Sequence, residues 1–177
     1  MVKQIYDYLR GEQTKPEWRC LMFKNAARPK AIFTLRILLN RKLATVNRLS
    51  KWGMTHNKTC VLCKNVDENM DHMFLQCHYA GEVWERVFTW ASIHNNRPKT
   101  CAHFIQWSNQ HGKGKTTKAQ LFKLILAEGV HAVWNERNKR IFEDKKCLID
   151  EVVKKIAHVT IARSSISIKN VISHRKI

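Results

Sequence analysis

Four residues constrain this chain more than any others. Cys60-Val61-Leu62-Cys63 is followed after eight residues by His72 and after four more by Cys77, a C-x2-C-x8-H-x4-C cluster. Two thiols three apart across a tight turn converge on one point. Three sulfurs with one imidazole suit a borderline-soft divalent cation that has no geometric preference of its own. Zinc fits best, as one ion, and four protein ligands leave no position for water, so the site reads as structural rather than catalytic. The second pair sets a condition. In a regular α-helix residues five apart differ by about 140° in direction, so His72 and Cys77 meet one ion only if the helix is distorted there or the His side chain reaches back. His56 and His78 are the spare ligands.

The other thiols, Cys20, Cys101 and Cys147, stand among apolar residues and read as core cysteines. The N-terminal run Met1-Val2-Lys3-Gln4-Ile5-Tyr6-Asp7 carries no apolar secretory segment, so the chain reads as intracellular, in nucleus, cytoplasm or an organelle, where cysteines favour metal over disulfides. No apolar run reaches the roughly 18 residues of a membrane span: Arg36 interrupts one, and Lys123, Glu128 and His131 another.

Charge points to a polyanion. Thirty-two Lys and Arg against 14 Asp and Glu leave +18 on 177 residues. Residues 1–59 carry +10, residues 60–99 carry −1 and residues 100–177 carry +9, so two basic flanks surround a neutral middle. Self-repulsion on this scale is relieved by a polyanionic partner, and nucleic acid, RNA or DNA, is the commonest. In the first flank Lys24, Arg28, Lys30, Arg36, Arg41, Lys42, Arg48 and Lys51 gather around two expected helices. In the second, Arg137, Lys139 and Arg140 cluster, while Lys113 and Lys115 sit in a glycine-bearing loop. These are the candidate phosphate contacts, which position a chain on its partner without reading sequence.

Helical periodicity runs through the chain, and six Gly with three Pro argue against a turn-dense β sandwich. Expected helices cover 2–10, 17–25, a buried 31–39, 46–52 with Thr45 as N-cap and Gly53 as stop, 70–78, 80–91, a long Thr117 to Phe142 and a last one near 147–162, before a frayed basic end over 163–177. The class is all-α: a helical domain with an embedded CCHC zinc knuckle, followed by a C-terminal helical hairpin. The clearest loop and internal boundary signal is His111-Gly112-Lys113-Gly114-Lys115, and the expected organisation is a zinc-binding helical domain over 1–95 with a basic helical region over 96–177 packed on it. Trp52, Trp84, Trp90, Trp107 and Trp134, at helical spacing beside aliphatics, read as core residues rather than base-stacking platforms.

Other motifs weigh less. Gly112-Lys113-Gly114-Lys115-Thr116-Thr117 lacks the first glycine of a phosphate-binding loop, Asn109 standing there, and lacks a preceding strand. The histidines outside the metal cluster pair with no Ser, Cys or Asp in a catalytic arrangement.

Taken in order, Pro29-Lys30-Ala31-Ile32-Phe33, Lys42-Leu43-Ala44-Thr45-Val46-Asn47-Arg48-Leu49, Cys60-Val61-Leu62-Cys63, Glu68, His72-Met73-Phe74, Cys77, Tyr79-Ala80 and Val83-Trp84 resemble one known module. It is the zinc-binding domain in the C-terminal part of plant non-LTR (LINE-type) retrotransposon reverse transcriptases. The resemblance spans roughly residues 5–91, and more loosely 120–143, where Val133-Trp134-Asn135-Glu136-Arg137-Asn138-Lys139-Arg140-Ile141-Phe142 is similar to a stretch that follows the module. Leu35-Arg36 departs from the pattern, which usually carries an aromatic there. The resemblance implies a nucleic-acid-associated module of an element-encoded polymerase. The chain has no aromatic-x-Asp-Asp polymerase motif and no spaced carboxylate set for a nuclease. The expectation is therefore a non-enzymatic, zinc-stabilised RNA- or DNA-binding module with no small-molecule substrate and no membrane. The rival is an assembly subunit of a ribonucleoprotein particle, docking through helices 121–142 and 147–162 and its basic surface.

Overall fold

Helices dominate because apolar residues recur at three- and four-residue spacing and few breakers interrupt them. The computed structural model describes residues 16–54, 57–94, 96 and 98–172; the expected helix at 2–10 and the spare ligand His56 lie outside them. In chain order the helices are α1 (Arg19–Met22), α2 (Pro29–Leu39), α3 (Val46–Lys51), a π-helical turn (His72–Gln76), α4 (His78–Trp90), α5 (Cys101–Gly112), α6 (Thr117–Phe142), α7 (Ile149–Arg163) and α8 (Ile166–Ile172). No strand occurs among the described residues, only a single antiparallel bridge between Thr59 and Asp67. The all-α class stands.

The long helix α6 is the axis of the fold. Its bounds coincide with the expected Thr117–Phe142, and Thr116 caps it by accepting the Ala119 N–H. From Leu121 to Val130 every residue is buried, because α2, α4, α5, α7 and α8 all pack on it. Residues from both flanks therefore share one apolar core, in which Leu35 and Leu38 of α2 join Val83 and Phe88 of α4, Phe104 of α5 and Val153 of α7. Trp84 is central. Its ring lies so close over Gly129 of α6 that a Cβ there would sit 2.4 Å from the indole. Its Nε1–H donates to the Phe74 carbonyl at 3.0 Å.

Several elements differ from the sequence reading. Helix α1 is one turn, not the span 17–25. Helix α2 starts at Pro29, whose missing N–H costs nothing at a first helical position. Its outer face leaves Phe33 64% exposed, so this helix is buried on one side only. Thr45 precedes α3 without capping it through its side chain, and the Val46 N–H is instead taken by Glu68 Oε1 at 2.8 Å. Gly53 does stop that helix. It adopts φ +72° while the Met54 and Gly53 N–H groups return to the Leu49 and Ser50 carbonyls. The sequence reading lacks α5, and in place of a frayed end at 166–172 it is α8 that forms, held by buried Ile168 and Ile172. Trp84, Trp90 and Trp107 are core residues as expected, Trp134 is half-buried, and Trp52 is 60% exposed. Cys101 is buried, whereas Cys20 and Cys147 are only partly so.

The apolar faces at 121–133 and 152–156 are consumed by this core. Among the described residues, those faces of helices 121–142 and 147–162 meet the chain's own core. Among the described apolar residues it is instead Ile141, Phe142, Leu148, Ile166 and Val171 that these C-terminal helices and their connections leave exposed.

Candidate metal centre

Cys60 and Cys63 sit on a turn built by the backbone. The Cys60 N–H donates to the Val66 carbonyl at 2.8 Å, and the Lys64 N–H returns to the Cys60 carbonyl at 2.8 Å, with Lys64 turning the chain at φ +59°. The ends are zipped by Glu68 N–H to the Lys58 carbonyl. The Cys63 and Leu62 N–H groups inside the turn point at the Cys60 sulfur, donors that favour a thiolate there.

The second pair is brought together by the distortion its spacing requires. His72–Gln76 is a π-helical turn, closed by the Cys77 N–H donating to the His72 carbonyl at 2.7 Å. A turn closed five residues on holds one residue more than an α turn, so residues five apart return to the same side. Cys77 then switches to extended backbone (ψ 129°) and opens α4, where the Ala80 and Tyr79 N–H groups donate to its sulfur. The widened turn leaves the Phe74 carbonyl for Trp84, so the same indole that packs on α6 also anchors the ligand-bearing turn.

The ligand atoms of Cys60, Cys63, His72 and Cys77 all lie within 4.8 Å of one another, with Cys63 Sγ and His72 Nε2 3.2 Å apart. Sulfurs bound at about 2.3 Å in a tetrahedron stand roughly 3.8 Å from each other, so the cluster has the size of a zinc site. Its chemistry agrees. The Cys60 thiol is pushed far up by its hydrogen bond to Cys77 and by burial, while Cys77 is pulled down by that same bond. The two thiols thus press on one another's protons, as close thiols without a bridging cation do. Burial lowers His72, against the opposing pull of Glu68, which keeps the imidazole in the neutral form that ligates. His78 is exposed and outside the cluster.

A layer of polar contacts positions this centre on α6. Glu68 is fully buried and takes both Arg137 Nε (3.2 and 3.1 Å) and Arg137 Nη2 (2.8 Å). Arg137 Nη2 also reaches the Ala44 carbonyl. One turn on, Arg140 donates from Nη1 to the Leu62 carbonyl inside the knuckle, from Nε to Glu136, and lies 4.4 Å over the Tyr79 ring. That ring's hydroxyl is pushed up to about 12, chiefly by burial.

These contacts revise the candidate phosphate-binding residues. Arg137 is 2% exposed and committed to Glu68, and Arg140 is 9% exposed and committed to Glu136 and the knuckle. Neither guanidinium is free for a phosphate. Arg28 is exposed but chelates Glu128 through its backbone N–H, Nε and Nη2. The remaining candidates stand at the surface: Lys24, Lys30, Arg36, Arg41, Lys42, Lys51, Lys113 and Lys115 are exposed, and Arg48 and Lys139 half-buried. Glu68, Glu136 and Arg137 are the site residues whose role the sequence reading missed. The available signal was Glu68 itself, the one glutamate between the two pairs of metal ligands.

A helical protein organised around a closed Cys3His metal centre is what the fold and the site define. Residues 1–84 match the family model described as zinc-binding in reverse transcriptase. The match assigns this stretch, all four ligands included, to the zinc-binding domain associated with reverse transcriptases. No curated protein and no solved structure matches the chain. Among the described residues no helix is long and apolar enough to cross a membrane.

Proposed function

We propose that the chain is a non-catalytic, zinc-stabilised module that binds RNA or DNA, derived from the C-terminal part of a LINE-type reverse transcriptase. The observation that carries this reading is the composition of the outer face of α2 and α3. On α2, Lys30, Phe33 and Arg36 follow one another at three-residue spacing and are all exposed, which places them on one side of the helix. On α3, Arg48 lies 5.2 Å over the exposed Trp52 ring and donates to the Arg41 carbonyl. Cations interleaved with solvent-facing aromatics are the means by which proteins hold single strands, phosphates taken by charge and bases by stacking.

Zinc acts here on shape alone. It closes the turn at 60–63 onto the start of α4, and Glu68 carries that order to the first N–H of α3. The basic face is thereby tied to the ligand-bearing loop.

Binding of a fluorescent single-stranded 20-mer, RNA and DNA in parallel, tests the reading. With about seven phosphates neutralised on a single strand, log K falls against log salt with a slope of about −5. Weak binding that is flat across salt overturns it. A second reading, assembly into a ribonucleoprotein particle, draws on exposed Phe142 (75%) and Leu148 (72%), which flank the α6–α7 connection. Recovery of the chain on a defined particle, rather than on free nucleic acid, favours that reading.

A further inference from the structure

A second cationic feature lines a concavity of the surface, with Arg28, Lys155 and His158 exposed and His131 and Lys139 half-buried. Where the chain entering α2 meets α6 and α7 there is a cavity of about 280 Å³, lined by Arg28, His131, Glu136, Lys139, Lys155 and His158 among its residues. Three separate parts of the sequence supply these groups. Arg28 precedes α2, His131 and Lys139 stand two turns apart on one face of α6, and Lys155 and His158 are neighbours at three-residue spacing on α7.

The acids at this cavity are already committed. Glu136 accepts from Arg140 Nε and from the Cys147 N–H at 3.0 Å. Glu128, beside it, is fully engaged by Arg28. Among the described residues neither Lys139 nor Lys155 forms an ion pair; Lys155 Nζ has only the Cys147 sulfur at 3.5 Å. Two ammonium groups with no ion pair of their own therefore share one concavity with Glu136, whose Oε1 is taken by Arg140 and Cys147. His131 is held below the ordinary imidazole range chiefly by burial, then by Arg28, with Glu128 opposing and Lys30 adding a little. The volume lies just under the roughly 300–1,000 Å³ of pockets that enclose whole ligands, and suits one phosphate group with part of its sugar.

We infer that this cavity is a phosphate-binding site, with Lys139 and Lys155 as its charged contacts. As a site for a nucleic-acid backbone phosphodiester it deepens the proposed function and rests on it; as a site for a free phosphate it does not. Lys139, from the second basic flank, then acts alongside the face carrying Lys30 and Arg36, so both flanks grip one partner.

The test uses the full, zinc-loaded chain and two probes, inorganic phosphate and a single-stranded 12-mer. Ring signals of His131 and His158 are followed by NMR at fixed pH, and oligonucleotide affinity is measured across salt for wild type, Lys139→Gln/Lys155→Gln and Lys139→Arg/Lys155→Arg. The expected result is that the 12-mer moves both histidine signals. The Gln pair then lowers the magnitude of the salt slope by roughly 1–2, the Arg pair restores it, and zinc content and circular dichroism stay unchanged in both. If phosphate moves the histidines while the 12-mer does not bind, the site stands, its ligand is a free phosphate, and the nucleic-acid reading fails. If the 12-mer binds with a steep salt slope while the histidines stay still and the Gln pair matches wild type, the inference is overturned and the nucleic-acid reading survives. Silence from both probes overturns the inference as well.

Discussion

Arg137 Nη2 lies 2.8 Å from Glu68 Oε1, and both side chains are sealed from solvent. Glu68 stands five residues past Cys63 and four before His72, so this ion pair bolts the segment joining the two ligand pairs to the long helix. Glu68 also takes the Val46 N–H. One carboxylate thus ties together the metal loop, the start of α3 and α6. A buried pair adds little net stability against an apolar replacement, but breaking it strands an unpaired charge. Its value here is positional.

Arg137→Met in the zinc-loaded protein therefore lowers unfolding stability by about 3–5 kcal/mol, the cost of leaving one buried partner alone. Glu68→Met added to it costs less than the two single changes summed, because the two residues share one interaction. Urea unfolding of the four members of the cycle measures the coupling; a coupling near zero contradicts the positional role.

The matched family region ends at residue 84, inside α4, yet Arg137 and Arg140 reach back to the knuckle from far beyond it. A chain ending at residue 95 loses those contacts and uncovers the apolar faces of α2 and α4 that pack on α6. It is expected to bind zinc more weakly than the full chain and to lose cooperative thermal unfolding. Competition with a chromophoric chelator, with a melting curve beside it, decides the matter. Equal affinity and an equally sharp transition show that the first 95 residues suffice.

Gly129→Ala drives a methyl into the Trp84 ring, which cannot retreat without releasing the Phe74 carbonyl. Overpacking of this kind costs about 1–3 kcal/mol. The Trp84 contact with the π-helical turn carries the disturbance toward His72, so a zinc-binding assay on this variant reads a weakened site as well as a lower melting temperature.

His131 is kept below its usual range by burial, by Arg28 and by Lys30, with Glu128 opposing. Its Nδ1 is 3.0 Å from Thr34 Oγ1, whose own proton goes to the Lys30 carbonyl, so Nδ1–H is the donor, and burial favours the neutral ring. The unfolded chain binds the proton more readily. Stability from this group is therefore full above about pH 6.5 and falls as pH drops through the depressed folded value. His131→Gln is expected to flatten the decline in melting temperature between pH 7 and 5, and the His131 ring signal to titrate below 6.5. A midpoint above 6.5 contradicts the assignment.

Local pattern made much of this legible. The periodicity of Leu121, Phe122, Ile125, Val130 and Val133 marks α6, and the Cys60–Cys77 spacing names the ligands and, through the awkward five-residue step from His72, the need for a distorted turn. What local pattern does not carry is partnership across long stretches of chain. Arg137 reads as one more cation in a basic run because its acid is 69 residues away. Phe33 and Trp52 read as core because hydrophobicity alone does not tell which side of a helix stays uncovered. Helix α8 is short and lysine-bearing, and only Ile168 and Ile172, buried in the shared core, hold it in place.

Zinc X-ray absorption on the purified full chain bears most directly on the whole account. The expected spectrum has one zinc per chain with three sulfurs at about 2.3 Å and one nitrogen at about 2.0–2.1 Å, and Cys63→Ser lowers the sulfur count and the zinc content together. A protein that is folded and metal-free, or a zinc ringed by light atoms alone, contradicts it.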